Sequence, residues 1–183
     1  RLFIDLNRDA QRVQFPESKI LKGIRDSLNP EFGFNLHDQS TYYTAGRSGN
    51  PATISFLAPA FNYEKDINDV RKRTMQLIVE LNDVLSNYIP GHIGRYSDDF
   101  EPRAFGDNFV KWGTSSVLIE SGGYKGDPEK QYIRKLNYAA LLSAFHSIAE
   151  GEYQKRKISE YEQIPENERL LFDLLLKKVN IEY

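Results

Sequence analysis

The chain has 183 residues, 40% hydrophobic and 27% charged, and carries a formal net charge of −2. That length suits one domain with a sizeable core, and the interspersed charge excludes a nucleic-acid footprint and a polybasic membrane patch. The absence of cysteine excludes disulfides, thiolate metal sites and a cysteine nucleophile, and no apolar run reaches the roughly 18–20 residues that a membrane-spanning helix needs.

Residues 2–6 read as a short buried strand that ends at Asn7 and Arg8. Pro16 opens a helical stretch over 19–28, with Ile20, Leu21, Ile24 and Leu28 on one stripe, and "NPEFG" breaks it. Residues 34–36 form a second strand that stops at His37, and 52–57, between prolines, form a third. Residues 66–88 predict a long helix with Met75, Ile78, Leu81 and Leu85 on its apolar face. The stretch 89–115 is rich in Gly, Asp and aromatics, shows no sustained period and reads as a long functional loop. A fourth strand over 116–119 ends at Glu120, before Gly122 and Gly123; 128–153 predict a second long helix and 168–178 a short amphipathic one.

Strands alternating with helices predict an α/β fold with a mixed, mainly parallel sheet and flanking helices. Four strands are few for such a sheet, and the chain opens without an initiator Met, directly in an apolar run. The sequence therefore reads as a piece of something longer, and the lack of a visible signal peptide says little about compartment.

Three of the strands share one design. "LFIDLNR", "FGFNLHD" and "SVLIESGG" each end an apolar run on polar or charged residues. Open α/β sheets bind ligands at the carboxyl ends of their strands, so parallel strands would bring Asn7, Arg8, His37 and Glu120 to one edge. Each residue alone has a plain structural reading: a turn with a solvated arginine, a satisfied core histidine, a strand-ending carboxylate. Together they supply an anion clamp, a metal-ligand type and a general base. Serine chemistry fares worse, because neither "SSVL" nor "ESGG" forms a Gly-x-Ser-x-Gly elbow. His146, within an apolar helix, reads as structural, and His92, in the long loop, as incidental.

The ordered set "DLNRD", "NLHDQ" and "SVLIESGG", with 30 positions from Asn7 to His37 and 83 from His37 to Glu120, resembles the C-terminal part of the catalytic domain of the zinc carboxypeptidases, the carboxypeptidase A-like metallopeptidases. The resemblance covers about residues 2–149. It implies a carboxypeptidase-like portion over 1–153, lacking its N-terminal part, and a helical extension over 154–183. It implies that His37 is the last zinc ligand, Glu120 the base that activates the zinc-bound water, and Asn7 and Arg8 the pair that holds a substrate's terminal carboxylate. Tyr96 in "GRYSDDF" is the nearest candidate for the family's mobile tyrosine, at an imperfect spacing, and Asp107 in "FGDNF" for a residue of the specificity pocket. Asp38 is a candidate supporting partner of the metal ligand.

The family's His-x-x-Glu ligands and its electrophilic arginine precede the Asn-Arg pair and are not in this sequence. The implied cofactor is one zinc with a single ligand here, so this chain alone is expected to be inactive. The implied partner is a peptide with a free C-terminal carboxylate, and the resemblance leans towards a secreted or periplasmic location. Two other readings stay open on the same scaffold: a zinc amidohydrolase that deacylates N-acyl amino acids, and a non-catalytic binding domain.

Overall fold

Four strands build the central sheet of the computed structural model, which describes residues 5–176 and 178–180. They are β1 (Phe32–Asp38), β3 (Ile54–Leu57), β4 (Ile93–Arg95) and β5 (Ser115–Ser121), in the order β1-β5-β3-β4. The β1–β5 and β3–β4 pairs are parallel and the β3–β5 pair antiparallel, so the fold is α/β with a mixed, mainly parallel sheet. A second, two-stranded sheet pairs β2 (Tyr43–Ala45) with β6 (Asn167–Arg169) antiparallel. The helices are α1 (Pro16–Leu28), α2 (Asp69–Ser86), α3 (Phe105–Lys111), α4 (Gln131–Glu150) and α5 (Ile158–Gln163).

The pleat assigns side chains to two faces. Phe34, Val117, Ile119, Phe56 and Ile54 belong to one, where they meet the buried faces of α2 and α4 in a single core. Phe34 packs edge-on against Phe145 of α4, with ring centroids 5.7 Å apart. Ile54 and Phe56 are wholly buried, and truncating such a phenylalanine to alanine costs about 3–5 kcal/mol. Helix α2 starts where the Asn68 side chain accepts the Arg71 N–H, and it is buried on several sides by the sheet, α4 and α5. Gly33, Asn35, His37, Ser116 and Glu120 belong to the opposite face, which α1 and α3 cover. Phe109 of α3 sits over Gly33, 3.9 Å from where a Cβ there would lie.

The local sequence explains most of the boundaries. Pro16 occupies the first turn of α1, where its missing N–H costs nothing, and Asn29 ends the helix in the left-handed region at φ 42°. Gly151 ends α4 the same way, at φ 69°. The "SGG" after β5 has a steric origin: Gly122 donates to Thr53 O, and a Cβ at Gly122 would lie 2.0 Å from the Ala52 carbonyl oxygen.

Several expectations are corrected. The stretch 89–115 is not an unstructured loop but carries β4 and α3, elements too short to show a hydrophobic period. The strand expected over 2–6 falls outside the described residues at 2–4; Leu6–Arg8 form a 3-10 turn, because the Asp5 carboxylate accepts the Asn7 N–H at 2.9 Å. The helix expected over 168–178 is absent among the described residues. Glu168 and Arg169 pair with β2 instead, and Leu174 and Leu176 beyond them are exposed. Among the described residues of the extension expected to be helical, α5 and the end of a 3-10 turn at Glu152–Lys155 are the helical parts. The α1 stripe forms a helix as expected but is not buried: Ile20 and Leu28 are 62% and 72% exposed. His146 is likewise not a core residue; it points outward, 3.9 Å from Glu152.

The close approach at Gly122 yields a direct expectation. Gly122→Ala must push the Ala52 backbone away beside Glu120 and should cost at least about 1–3 kcal/mol, whereas Gly126→Ala, at an open turn with φ 81°, should cost less. Urea unfolding of the two variants checks the order.

Candidate functional site

Strand register assembles the site. His37 on β1 stands opposite Glu120 on β5, Glu120 opposite Ser55 on β3, and Ser55 opposite Gly94 on β4. Directly paired residues share a face, so one polar row crosses the sheet on the side of α1 and α3. Within it, His37 Nδ1 lies 3.4 Å from Glu120 Oε1. The Glu120 residue is only 5% exposed, while the His37 side chain is 39% exposed. Burial pushes the Glu120 carboxyl above the ordinary glutamate range; the neighbouring His37 pulls it back, and the Asp38 charge raises it again.

Beside His37 lies a cavity of about 520 Å³ between α1, α3 and the sheet. Its apolar wall is Leu6, Leu21, Phe105 and Phe109, and its polar groups include Asn7, Asn35 and His37. The "FGDNF" stretch singled out in the sequence does line this cavity, but through the Phe105 and Phe109 rings and not through Asp107. The i,i+4 spacing of the two aromatics was the available signal, and it needed the short helix α3 to be recognised first.

The other expected site residues are distributed as follows. Asn7 lines this cavity and is fixed there, since its Oδ1 accepts the Phe105 N–H at 2.8 Å. Arg8 does not line it; its Nε is 3.5 Å from Glu101 Oε2 and its Nη1 donates to Asn7 O. Glu101 is held down to about 2, first by its hydrogen bond to Arg103 and then by further contributions that include the Arg8 charge. Asp38 turns to Lys130 and Asp107 to the Glu101 N–H, at 3.3 Å, rather than to His37 or the cavity. Burial raises the Asp107 carboxyl to about 6.

Tyr96 follows β4 directly, with its N–H on Phe56 O, and its ring meets that of Tyr43 with centroids 5.7 Å apart. Its phenol is pushed up to about 12, by burial first, then by the Tyr43 hydroxyl and the Glu120 charge. His92 is a structural residue: its Nδ1 meets Pro51 O at 3.0 Å and its ring packs on Tyr124.

His37 fits one position of a zinc site and no more. An imidazole nitrogen beside a buried carboxylate is a zinc-type donor set, but among the described residues no group of three or more His, Cys, Asp or Glu could hold a metal ion. Among these residues, too, no helix is long and apolar enough to cross a membrane.

The chain matches no model of a protein family, no curated protein and no solved structure. What it does must be argued from the geometry.

The raised Asp107 carboxyl makes stability depend on pH. Its folded value, about 6, exceeds the ordinary carboxylate value of about 3.9, so the fold favours the protonated form. No penalty exists below about pH 4, and the burden of the buried charge grows as pH rises through 6. Asp107→Asn keeps an acceptor for Glu101 N–H without the charge. Relative to the parent chain, its melting temperature should gain from pH 4 to about pH 6 and level off above that.

Proposed function

We propose that this chain is the portion of a zinc carboxypeptidase-type hydrolase that supplies the general base, one metal ligand and the substrate pocket. The observation that carries the reading is the contact of the buried Glu120 carboxylate with Nδ1 of His37, which lines a cavity together with Asn7. The order and spacing of "DLNRD", "NLHDQ" and "SVLIESGG" support the same reading by resemblance.

Glu120 suits a base. Its surroundings raise its proton affinity, which strengthens it as an acceptor, while leaving it close to a group that can be charged. In this reading it takes a proton from the attacking water and delivers it to the leaving amine. Bound zinc supplies Lewis acidity and a water that is acidic near pH 7. His37 contributes one ligand nitrogen, and the remaining ligands come from polypeptide outside this sequence.

The cavity accounts for recognition. Asn7 offers its side-chain amide beside the pocket, with its oxygen already engaged by Phe105 N–H, so its NH₂ group remains to donate. Arg8 is the group able to grip a carboxylate with two parallel hydrogen bonds. It must exchange Glu101 for the substrate's terminal carboxylate, and because both groups are partly exposed the exchange is inexpensive. The Phe105 and Phe109 rings favour a large apolar side chain next to the bond that is cut.

The test uses the protein that carries the remaining ligands, loaded with zinc. Peptides ending in a free phenylalanine carboxylate should be cleaved, and their C-terminal amides should lose at least about 100-fold in kcat/KM. Glu120→Gln should remove turnover by about 10²–10⁴-fold, as for loss of a general base, with zinc content unchanged. Equal cleavage of amides and acids would defeat the carboxylate reading, and faster turnover of N-acyl amino acids would favour a deacylase.

A further inference from the structure

The residues that follow α5 return to the site. Arg95, the last residue of β4, donates its N–H to Pro165 O at 2.7 Å and its Nη2 to Glu166 Oε1 at 2.8 Å. Its guanidinium lies over the ring of Tyr161, 5.4 Å from the centroid, and Tyr161 is itself buried with its hydroxyl accepting Ala58 N–H. Asn167 fills the space above Gly94: a Cβ there would sit 1.9 Å from Asn167 Oδ1, and Asn167 Nδ2 donates to Ser55 Oγ at 2.9 Å. Two residues on, Arg169 donates to the Tyr43 hydroxyl at 2.9 and 3.1 Å, and Tyr43 is the ring against Tyr96.

The contacts of Arg95, Asn167 and Arg169 land on β4, on Ser55 of the neighbouring β3 and on Tyr43. On the other side of Tyr96, Asp98 is anchored by Arg71, which is 2% exposed and donates to it at 2.6 Å. The Tyr96 backbone is therefore fixed before and after, and only its ring needs a neighbour to choose an orientation. Tyr43 is that neighbour, and Arg169 fixes Tyr43.

We propose that residues 164–169 are a positioning clamp, in which Asn167 and Arg169, acting through β4 and Tyr43, hold the Tyr96 ring in place against that of Tyr43. Arg169 and Asn167 are positioning residues and touch no reacting atom. The clamp rests on the hydrolase reading only for its purpose, which is to hold a phenol ready for the substrate; the contacts themselves do not depend on that reading. The charged and titratable groups that act on Tyr96 are Tyr43, Glu120 and Arg169.

The experiment separates position from charge. Tyrosine labelled with 13C at Cζ reports each phenol by NMR during titration, and Tyr96→Phe identifies the resonance. In the parent chain Tyr96 should titrate near 12, as its burial and neighbours dictate. Arg169→Ala removes a positive charge, which by electrostatics alone would raise that value further. If the clamp orients the ring, the variant lets Tyr96 reach solvent, and the value should instead fall by at least about one unit towards the ordinary 10.

A second variant, Asn167→Ala, leaves all charges in place and should lower the value as well. Circular dichroism melting confirms that each variant is folded, and Arg169, on the surface, should melt as the parent does. No change, or a rise in both variants, overturns the clamp whatever the protein hydrolyses. In the zinc-loaded longer protein, the same variants should lower kcat by about tenfold with KM little changed. A protein that cleaves no peptide but shows the expected NMR shifts would keep the clamp and retire the hydrolase reading.

Discussion

Strand register is the constraint on which the rest depends. Because a strand alternates its side chains between two faces, a one-residue slip of β1 against β5 would send His37 into the α4 side of the core and put Phe34 at the site. The pairing is fixed by the apolar face, where Val117, Ile119, Phe34 and Phe56 meet α2 and α4. Packing of hydrocarbon on one side thus dictates which polar groups meet on the other. The short approach of Gly122 to Ala52 sets the exit of β5 in the same way, directly after Glu120.

Much of this was legible before any coordinates. Strands β1, β3 and β5 and helices α1, α2 and α4 announce themselves by length, period and punctuation, and the polar residues at the ends of β1 and β5 do meet, His37 opposite Glu120. The C-terminal segment did not. Leu170, Leu171, Leu174 and Leu175 mimic an amphipathic helix, yet Glu168 and Arg169 form strand β6 because Tyr43 and Thr44 offer a ladder that no local pattern records. Helix α3 was hidden for a related reason: seven residues with two aromatics four apart are too few to show a period.

Within the site, sequence order identified residue types better than their partners. Asn7 and Arg8 are adjacent in the chain but take different roles, one locked to the backbone of α3 and lining the cavity, the other paired with a carboxylate outside it. The loss of Asp107 and Asp38 to local hydrogen bonds has the same character. An acidic side chain next to an unpaired N–H or an ammonium group satisfies that need first, and only the fold reveals which of these competitors is near.

Strand β1 has one further consequence. Among the described residues it forms an outer edge of the sheet, and beside it the apolar stripe of α1 is turned outward, as is Leu36. Seven residues of free ladder next to uncovered hydrocarbon act as a template for any passing extended chain. Expressed by itself at high concentration, this polypeptide would tend to zip into sheets with its own copies, so that how it is handled, more than its intrinsic stability, would set how long it stays dispersed.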